Sequence, residues 1–282
     1  MPVPVVKWAG GKRQLLKYIH EMMPERYGNY YEPFIGGGAV LFDLMPEHAY
    51  ISDINEALIC MYQTIRNQPE ELMDILHQYD LRIQAADAKD EQKAIYYEIR
   101  EEYNEKLQAH TYDAQTAALL IFLNKHCFNG LYRTNRHGGF NVPFANTTRD
   151  SFAADNLRAV SDYLQSVEID CADFEMLCNR AQAGDFVFLD SPYAPLKDDT
   201  FTSYTKEGFE KDDHIRLAAQ FRAMDERGVQ CMLTNHNTDF IRGLYDGYHI
   251  RTVQVKRLIN RNANDRTGEE VIITNYDVNY DA

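Results

Sequence analysis

The sequence reads EPFIGGGAV from Glu32 to Val40, where a strand-like run ends in three glycines and a helix-forming segment follows. Glycines allow a tight turn and a close approach of backbone to ligand, and the next helix presents its N-terminal amides. By themselves they are equally consistent with an ordinary turn. Asp53 lies 17 positions after Gly36 and closes a second strand-like run around Tyr50–Ile51. Its carboxylate could accept bonds from both ribose hydroxyls, so the combination predicts an α/β sheet that binds a nucleoside-type cofactor.

A second motif is the tetrapeptide DSPY, Asp190–Tyr193, which directly follows the buried-strand pattern Phe186–Leu189. Open α/β sheets bind ligands at the carboxyl ends of their strands. There Asp190 and the carbonyl of Ser191 could accept hydrogen bonds from an exocyclic amine, and Tyr193 could present its ring to a flat base. Two acceptors would favour a tetrahedral nitrogen whose lone pair points at a methyl donor, without a metal or a covalent intermediate. The alternative is an ordinary strand-to-turn exit in which proline fixes the turn.

A third motif, KWAGGK, occupies Lys7–Lys12 and contains the only tryptophan of the chain, Trp8. An indole ring followed by two glycines and a lysine could cover a cofactor while Lys12 meets its carboxylate. Taken alone, such a string is more typical of an N-terminal turn with a packed tryptophan.

The distribution of charge matters more than its sum. The net charge of −14 disfavours a nucleic-acid partner, because phosphate binding draws on clustered Lys and Arg. Between residues 124 and 149, however, no acidic residue occurs, and basic side chains alternate with aromatic ones: Lys125, Phe128, Tyr132, Arg133, Arg136, Phe140, Phe144 and Arg149. A second basic run brackets an Asn-rich segment that is typical of a hairpin tip, with Arg251, Lys256, Arg257, Arg261 and Arg266. Either run alone could be a solvated charged face.

The pattern changes near residue 55. Residues 56–123 have helical spacing without glycine, interrupted only by Pro69, whereas strand-like runs return from Val167 onward. These runs are 167–169, 186–189, 229–233, 250–258 and 270–276. Strands that alternate with helices imply one doubly wound α/β domain, split in sequence by a helical insertion. We therefore expect a catalytic domain at 1–55 and 145–282 and a helical domain at 56–144.

Composition narrows the class further. The 282 residues, 45% of them hydrophobic, can bury a full hydrophobic core without stabilisation by disulfide bonds or a structural metal ion. No run approaches the roughly 18 apolar residues of a spanning helix, and the first residues do not show the basic segment, apolar core and cleavage site of a signal peptide. We therefore expect a cytoplasmic protein without a membrane partner. The five cysteines are an odd, scattered set, which predicts reduced, mostly buried thiols rather than zinc or disulfides.

The three motifs, in this order around the basic and aromatic block, resemble the Dam-like family of DNA adenine-N6 methyltransferases. The resemblance runs nearly end to end and includes the segments 122–124, 128–133, 140–144, 193–196 and 234–236. It implies a Rossmann-like methyltransferase sheet with helices on both faces and a mostly helical, inserted DNA-recognition domain. It also implies methyl transfer from S-adenosylmethionine to adenine, within GATC in duplex DNA, by a nucleoid-associated enzyme.

The resemblance assigns residues to each ligand. Contacts to S-adenosylmethionine are implied for Trp8, Lys12, Phe34, Gly36, Gly38, Asp53, Asp173, Phe174 and Asp190. The target base would be held by Asp190, Ser191, Pro192 and Tyr193 after it leaves the stack. DNA contacts are implied for Phe128, Asn129, Leu131, Arg133 and Pro143, and the basic runs add Lys125, Asn141 and Arg257. Within that set Arg133 suits bidentate reading of guanine, and Phe128 suits intercalation at a base step.

One position departs from the family pattern, because Ser191 stands where the tetrapeptide usually has proline. The backbone carbonyl is retained, but a freer backbone would loosen the site and lower the rate. A cytosine-N4 methyltransferase and a DNA-binding homologue without catalysis remain alternatives, and a small-molecule methyltransferase would leave the basic block unexplained. Besides duplex DNA, a cognate restriction endonuclease is a candidate partner.

Overall fold

The computed structural model describes residues 1–8, 10, 12–196, 209–256 and 267–278. Their strands form one mixed seven-stranded sheet in the order β3-β2-β1-β4-β5-β7-β6. The bounds are β1 Tyr30–Glu32, β2 Ala49–Asp53, β3 Val167–Cys171, β4 Phe186–Leu189, β5 Gln230–His236, β6 His249–Lys256 and β7 Thr267–Thr274. Strand β1 is parallel to β2 and β4, and β4 is parallel to β5. Strand β7 runs antiparallel to both β5 and β6. The predicted α/β class is confirmed.

The central strand β4 is buried on both faces. Val187 and Leu189 belong to one hydrophobic cluster, whereas the alternate residues Phe186 and Phe188 are fully buried on the opposite face. Since successive side chains of a strand point to opposite faces, both sides of the sheet are covered at this strand. The continuous apolar run seen in the sequence therefore reflects a strand covered by layers on both sides.

The chain divides into two compact units. The helical unit comprises Met1–Gly11, Gly36–Met45 and Asp53–Cys171, and the sheet unit comprises Lys12–Ile35, Pro46–Ser52 and Ala172–Ala282. The α-helices of the helical unit are α2 Ala39–Leu44, α3 Glu56–Asn67, α4 Pro69–Gln84, α5 Lys89–Gln108, α6 Ala114–His126 and α7 Ala154–Leu164. Those of the sheet unit are α1 Leu16–Met22, α8 Phe174–Arg180, α9 Lys211–Glu226 and α10 Asp239–Leu244.

Local chemistry explains where the helices of the helical unit begin. The side chain of Asn55 caps α3 by accepting from the backbone N–H of Leu58, and Asp113 caps α6 in the same way. Pro69 occupies the first turn of α4, where its missing N–H costs nothing. Helix α6 is buried along nearly its whole length and packs against α3, α4 and α5. The predicted helical run thus consists of α3 to α6.

Most predicted strands are confirmed with shifted ends. The predicted strand 186–189 has the observed bounds, and 229–233 is extended to His236. The predicted hairpin is confirmed as the antiparallel pair β6–β7, while its tip at 257–266 lies outside the described residues. Four of the cysteine thiols are buried and Cys171 is exposed. Every helix in the described ranges is too short or too polar to span a lipid bilayer.

A buried histidine predicts an acid-sensitive sheet unit. His214 of α9 lies between the rings of Phe209 and Phe240, and burial lowers its pKa to about 4. Between pH 7 and pH 5 the unfolded chain therefore gains a proton that the folded chain does not, since the unfolded pKa is about 6.5. The unfolding free energy should fall by about 2 kcal/mol over this range from His214 alone.

Denaturant unfolding at the two pH values measures this effect. In His214→Gln the fall in unfolding free energy between pH 7 and pH 5 should be about 2 kcal/mol smaller than in wild type. This difference does not depend on how stable the variant is at pH 7. His77→Gln, at an exposed position, is the matched control and should retain the loss. An identical pH dependence in wild type and His214→Gln would contradict the prediction.

Candidate active site

The glycine loop after β1 packs against Trp8. Gly36 and Gly38 have φ of +48° and +71°, in the left-handed region that favours glycine. A Cβ atom on Gly36 would lie 3.0 Å from Cδ1 of the Trp8 ring, and one on Gly38 would lie 2.9 Å from the Tyr62 hydroxyl. The Tyr62 hydroxyl donates to the Gly36 carbonyl oxygen at 2.9 Å. These positions therefore require glycine both for conformation and for space.

Asp53 is the last residue of β2 and is hydrogen-bonded to the glycine loop. Its carboxylate accepts from the backbone N–H of Gly36 at 3.2 Å and from that of Asn55 at 3.0 Å. Burial raises the pKa of Asp53, and these backbone bonds oppose the rise. A carboxylate has about four acceptor positions, so these backbone bonds do not exhaust its capacity to accept from a ligand hydroxyl.

Asp190 follows β4 directly and forms an ion pair with Lys12. The Lys12 Nζ atom lies 2.6 Å from Oδ1 of Asp190, and the two side chains are 5% and 19% exposed. The hydroxyl of Thr234 donates to the same carboxylate oxygen at 2.8 Å. Burial raises the pKa of Asp190, while the Lys12 ammonium and the Thr234 hydroxyl act in the opposite direction. Lys12 thus favours the ionised form of a carboxylate that is largely removed from water.

The end of β5 holds the turn that follows Asp190. The Asn235 side chain accepts from the backbone N–H of Ala194 at 2.9 Å and donates to the Ser191 hydroxyl at 3.4 Å. A ring nitrogen of His236, Nδ1, lies 2.7 Å from the Ala194 carbonyl oxygen. Ser191 is only 2% exposed, so its hydroxyl is a buried structural group. These contacts provide for Ser191 a restraint on the turn that proline would supply covalently.

Tyr193 has contacts at its hydroxyl and on its ring. The hydroxyl donates to Oε2 of Glu270 at 3.0 Å, and the ring packs edge-on against His236 at 4.9 Å between centroids. Lys12 Nζ lies 4.6 Å from the ring centroid. Burial raises the pKa of Tyr193 well above 10, so the hydroxyl stays protonated. The orientation of this ring is therefore set by β7 as well as by the tetrapeptide.

Aromatic side chains surround the start of α8 within the sheet unit. Phe34 stacks on Phe174 with 5.4 Å between ring centroids and packs edge-on against Phe209. Asp173 caps α8 by accepting from the Glu175 N–H at 3.0 Å, and it forms an ion pair with Arg216. The structure therefore brings Phe34 and Phe174 together and places Asp173 at the N-cap of α8.

Apart from Arg257, the predicted DNA contacts lie within residues 125–143 of the helical unit. Phe128 is 54% exposed, which is unusual for a phenylalanine, and its backbone N–H donates to the Pro143 carbonyl at 2.8 Å. The exposed guanidinium of Arg133 donates from Nε to the Asn141 side chain at 2.8 Å. Asn129 has a left-handed φ of +59°. Lys125, at the end of α6, and Leu131 are partly buried. Arg257 lies outside the described residues.

Sequence reasoning did not identify the partners of the tetrapeptide. Thr234, Asn235 and Glu270 are separated from their partners by 44, 41 and 77 positions for the bonds to Asp190, Ala194 and Tyr193. The available signal was the polar run Thr234–His236 after the apolar stretch of β5, a pattern that again marks a carboxyl strand end.

Comparison with known proteins places these features in context. Residues 8–259 match the model of the family described as D12 class N6 adenine-specific DNA methyltransferase. The chain is 42% identical over 287 residues to the type II methyltransferase M.MjaIII of Methanocaldococcus jannaschii, covering 97% of this chain and 99% of that protein. It is 33% identical to a DNA adenine methylase of Vibrio cholerae, with 93% and 91% covered, and 30% identical to that of Haemophilus influenzae, with 96% and 92% covered.

Proposed function

Because the chain belongs to the family of D12 class N6 adenine-specific DNA methyltransferases, we propose that it methylates N6 of an adenine extruded from duplex DNA, within GATC, with S-adenosylmethionine as donor. The observation that carries this proposal is the Asp190 carboxylate at a strand end, paired with Lys12 and followed by a turn held by Asn235. Such an acceptor, positioned in advance, suits an exocyclic amine.

The residues fit the proposed cofactor. In the helical unit, the glycine loop lies against Trp8, and Asp53 retains acceptor capacity for ribose hydroxyls. In the sheet unit, the half-buried ring of Phe34 offers aromatic surface for the adenine ring, and the buried ring of Phe174 stacks on it beside Asp173. We therefore propose as cofactor residues Trp8, Lys12, Phe34, Gly36, Gly38, Asp53, Asp173, Phe174 and Asp190. When bound, S-adenosylmethionine supplies a methyl group on a positively charged sulfur.

The chain's own residues would prepare the amine for attack. Asp190 and the Ser191 carbonyl accept the two N6 hydrogens, which weakens conjugation of the lone pair with the ring and frees it for the methyl group. Tyr193, whose hydroxyl donates to Glu270, stacks on the base. Pro192 restricts the backbone conformation between Ser191 and Tyr193. After transfer N6 carries a positive charge, and loss of one proton from N6 to solvent restores a neutral amine.

We propose that residues 56–144 recognise DNA and that 1–55 with 145–282 carry the catalytic residues. The exposed ring of Phe128 would enter a base step, and Arg133, oriented by Asn141, would read guanine. Lys125, Asn129, Leu131, Pro143 and Arg257 are proposed as further contacts. A cytoplasmic, nucleoid-associated enzyme follows from this substrate, and the type II name of the M. jannaschii relative suggests a cognate restriction endonuclease as partner.

Methyl transfer can be tested directly. Incubation with labelled S-adenosylmethionine and unmethylated duplex should label N6-methyladenine on nucleoside chromatography and protect GATC sites from a methylation-sensitive endonuclease. Label in N4-methylcytosine would support the cytosine alternative, and duplex binding without incorporation would support a homologue that has lost catalysis.

Arg133→Ala is expected to relax discrimination at one guanine of the target. A bidentate contact contributes about 1–3 kcal/mol, or roughly 5- to 150-fold in preference for that base. Competition between the cognate duplex and duplexes with one substituted base measures this effect. Arg82→Ala, which removes an exposed arginine paired with Glu98, is the control and should leave the preference unchanged. Equal weakening on all duplexes would instead assign Arg133 to a phosphate.

A further inference from the structure

Tyr132 lies inside the segment that holds most of the proposed DNA contacts, residues 125–143 (the DNA-binding segment), but packs on a proposed cofactor residue. It stands between Leu131 and Arg133, and its ring stacks on Trp8 with 4.6 Å between centroids and 19° between planes. Both residues belong to the helical unit. Because Trp8 also packs against Gly36, the indole lies in contact with both the DNA-binding segment and the glycine loop.

A second set of contacts joins the same two segments. The Asn124 side chain accepts from the backbone N–H of Lys7 at 2.9 Å and donates to the carbonyl oxygens of Lys7 at 2.9 Å and Gly130 at 3.1 Å. Gly130 has φ of +65°, and a Cβ atom there would lie 2.7 Å from Cδ of Lys7. The backbone before Trp8 is thus fixed to the loop that carries Tyr132.

Tyr132 is itself supported by the helical unit. Its hydroxyl lies 3.4 Å from that of Tyr103 on α5, and its ring packs against Phe140 with 5.7 Å between centroids. Phe128 and Arg133, on either side of Tyr132 in sequence, are exposed. A duplex that orders this segment would therefore also order the ring on which Trp8 rests.

We propose that Tyr132 is a positioning residue that couples the two ligands, so that duplex DNA tightens binding of the cofactor through the Trp8–Tyr132 stack. This inference rests on the proposed function. If binding of duplex DNA already includes the entropic cost of ordering the Trp8–Tyr132 stack, the cofactor binds more tightly afterwards. By linkage, the cofactor strengthens duplex binding by the same factor. The aromatic ring at position 132 is the group on which the coupling depends, and the hydroxyl contributes little.

Calorimetry with S-adenosylhomocysteine, the unreactive product of the proposed cofactor, tests this coupling. We expect the wild-type Kd to fall by about fivefold or more when a saturating unmethylated duplex is present. In Tyr132→Leu this ratio should approach one, and Tyr132→Phe should restore it. Tyr103→Phe removes only the hydroxyl partner and is the matched control that should keep the full ratio. Undiminished coupling in Tyr132→Leu, or failure of Tyr132→Phe to restore it, would overturn the proposal.

A measurement on the wild-type protein covers the case in which Tyr132→Leu does not fold. Trp8 is the only tryptophan, so its emission reports on the stack directly. Duplex binding should shift that emission, and an unchanged spectrum at saturating duplex would overturn the coupling. Absence of S-adenosylhomocysteine binding and of methyl transfer in wild type would instead remove the proposed function, whereas intact activity with a ratio of one removes this inference alone.

Discussion

Asp190→Ala is expected to reduce the rate of methyl transfer by about 10³-fold while leaving duplex binding nearly unchanged. The substitution removes the carboxylate that would accept an N6 hydrogen, and a hydrogen-bonding group that acts in the transition state contributes about 10²- to 10³-fold in kcat. The proposed DNA contacts among the described residues, at 125–143, belong to the helical unit, whereas Asp190 belongs to the sheet unit. Single-turnover methylation and duplex titration measure the two effects separately.

Asp190→Asn is the more conservative companion. It keeps a carbonyl oxygen and the shape of the side chain but removes the charge that pairs with Lys12. A rate between those of wild type and Asp190→Ala would show that charge as well as acceptance contributes. Unchanged turnover in Asp190→Ala would refute the role given to this residue, and loss of duplex binding with loss of folding would show that the ion pair is mainly structural.

The sequence predicted those parts of the fold and of the candidate site that consist of residues close together along the chain. The glycine loop, Asp53 and the DSPY tetrapeptide were recognised because each is a short run at a strand end, and β4 was recognised because all its residues are apolar. The helical run was recognised from its spacing, and Asn55 and Asp113 mark where α3 and α6 begin. These features depend on local propensity and periodicity, which a single sequence contains.

Pairings that join distant segments were not predictable in the same way. The ion pair between Lys12 and Asp190 joins residues 178 positions apart and was not predicted. Glu270 meets Tyr193 from a strand 77 residues away. The stack of Trp8 on Tyr132 likewise depends on which segments the fold brings together. Such contacts follow from strand order and packing, and one sequence records neither.

The pairing of Lys12 with Asp190 leads to the second large expected effect. Lys12→Met should lower the unfolding free energy by about 3–5 kcal/mol near neutral pH, because it leaves a buried carboxylate without its partner. The Asp190 pKa, already raised by burial, should rise further without the ammonium. Since a raised pKa means that the folded state takes up the proton more readily, the loss of stability should shrink as pH falls below that pKa.

The same substitution should move the acid limb of the methylation rate to higher pH. The ionised carboxylate is the form that can accept from the amine, so activity is lost as pH falls through the Asp190 pKa, and this occurs earlier without Lys12. A pH profile of kcat/KM measures the shift. Lys17→Met is the matched control, because Lys17 is 79% exposed and pairs with Glu21 at 3.7 Å at the surface. An acid limb at the same pH in wild type and Lys12→Met would mean that Lys12 does not control ionisation of Asp190.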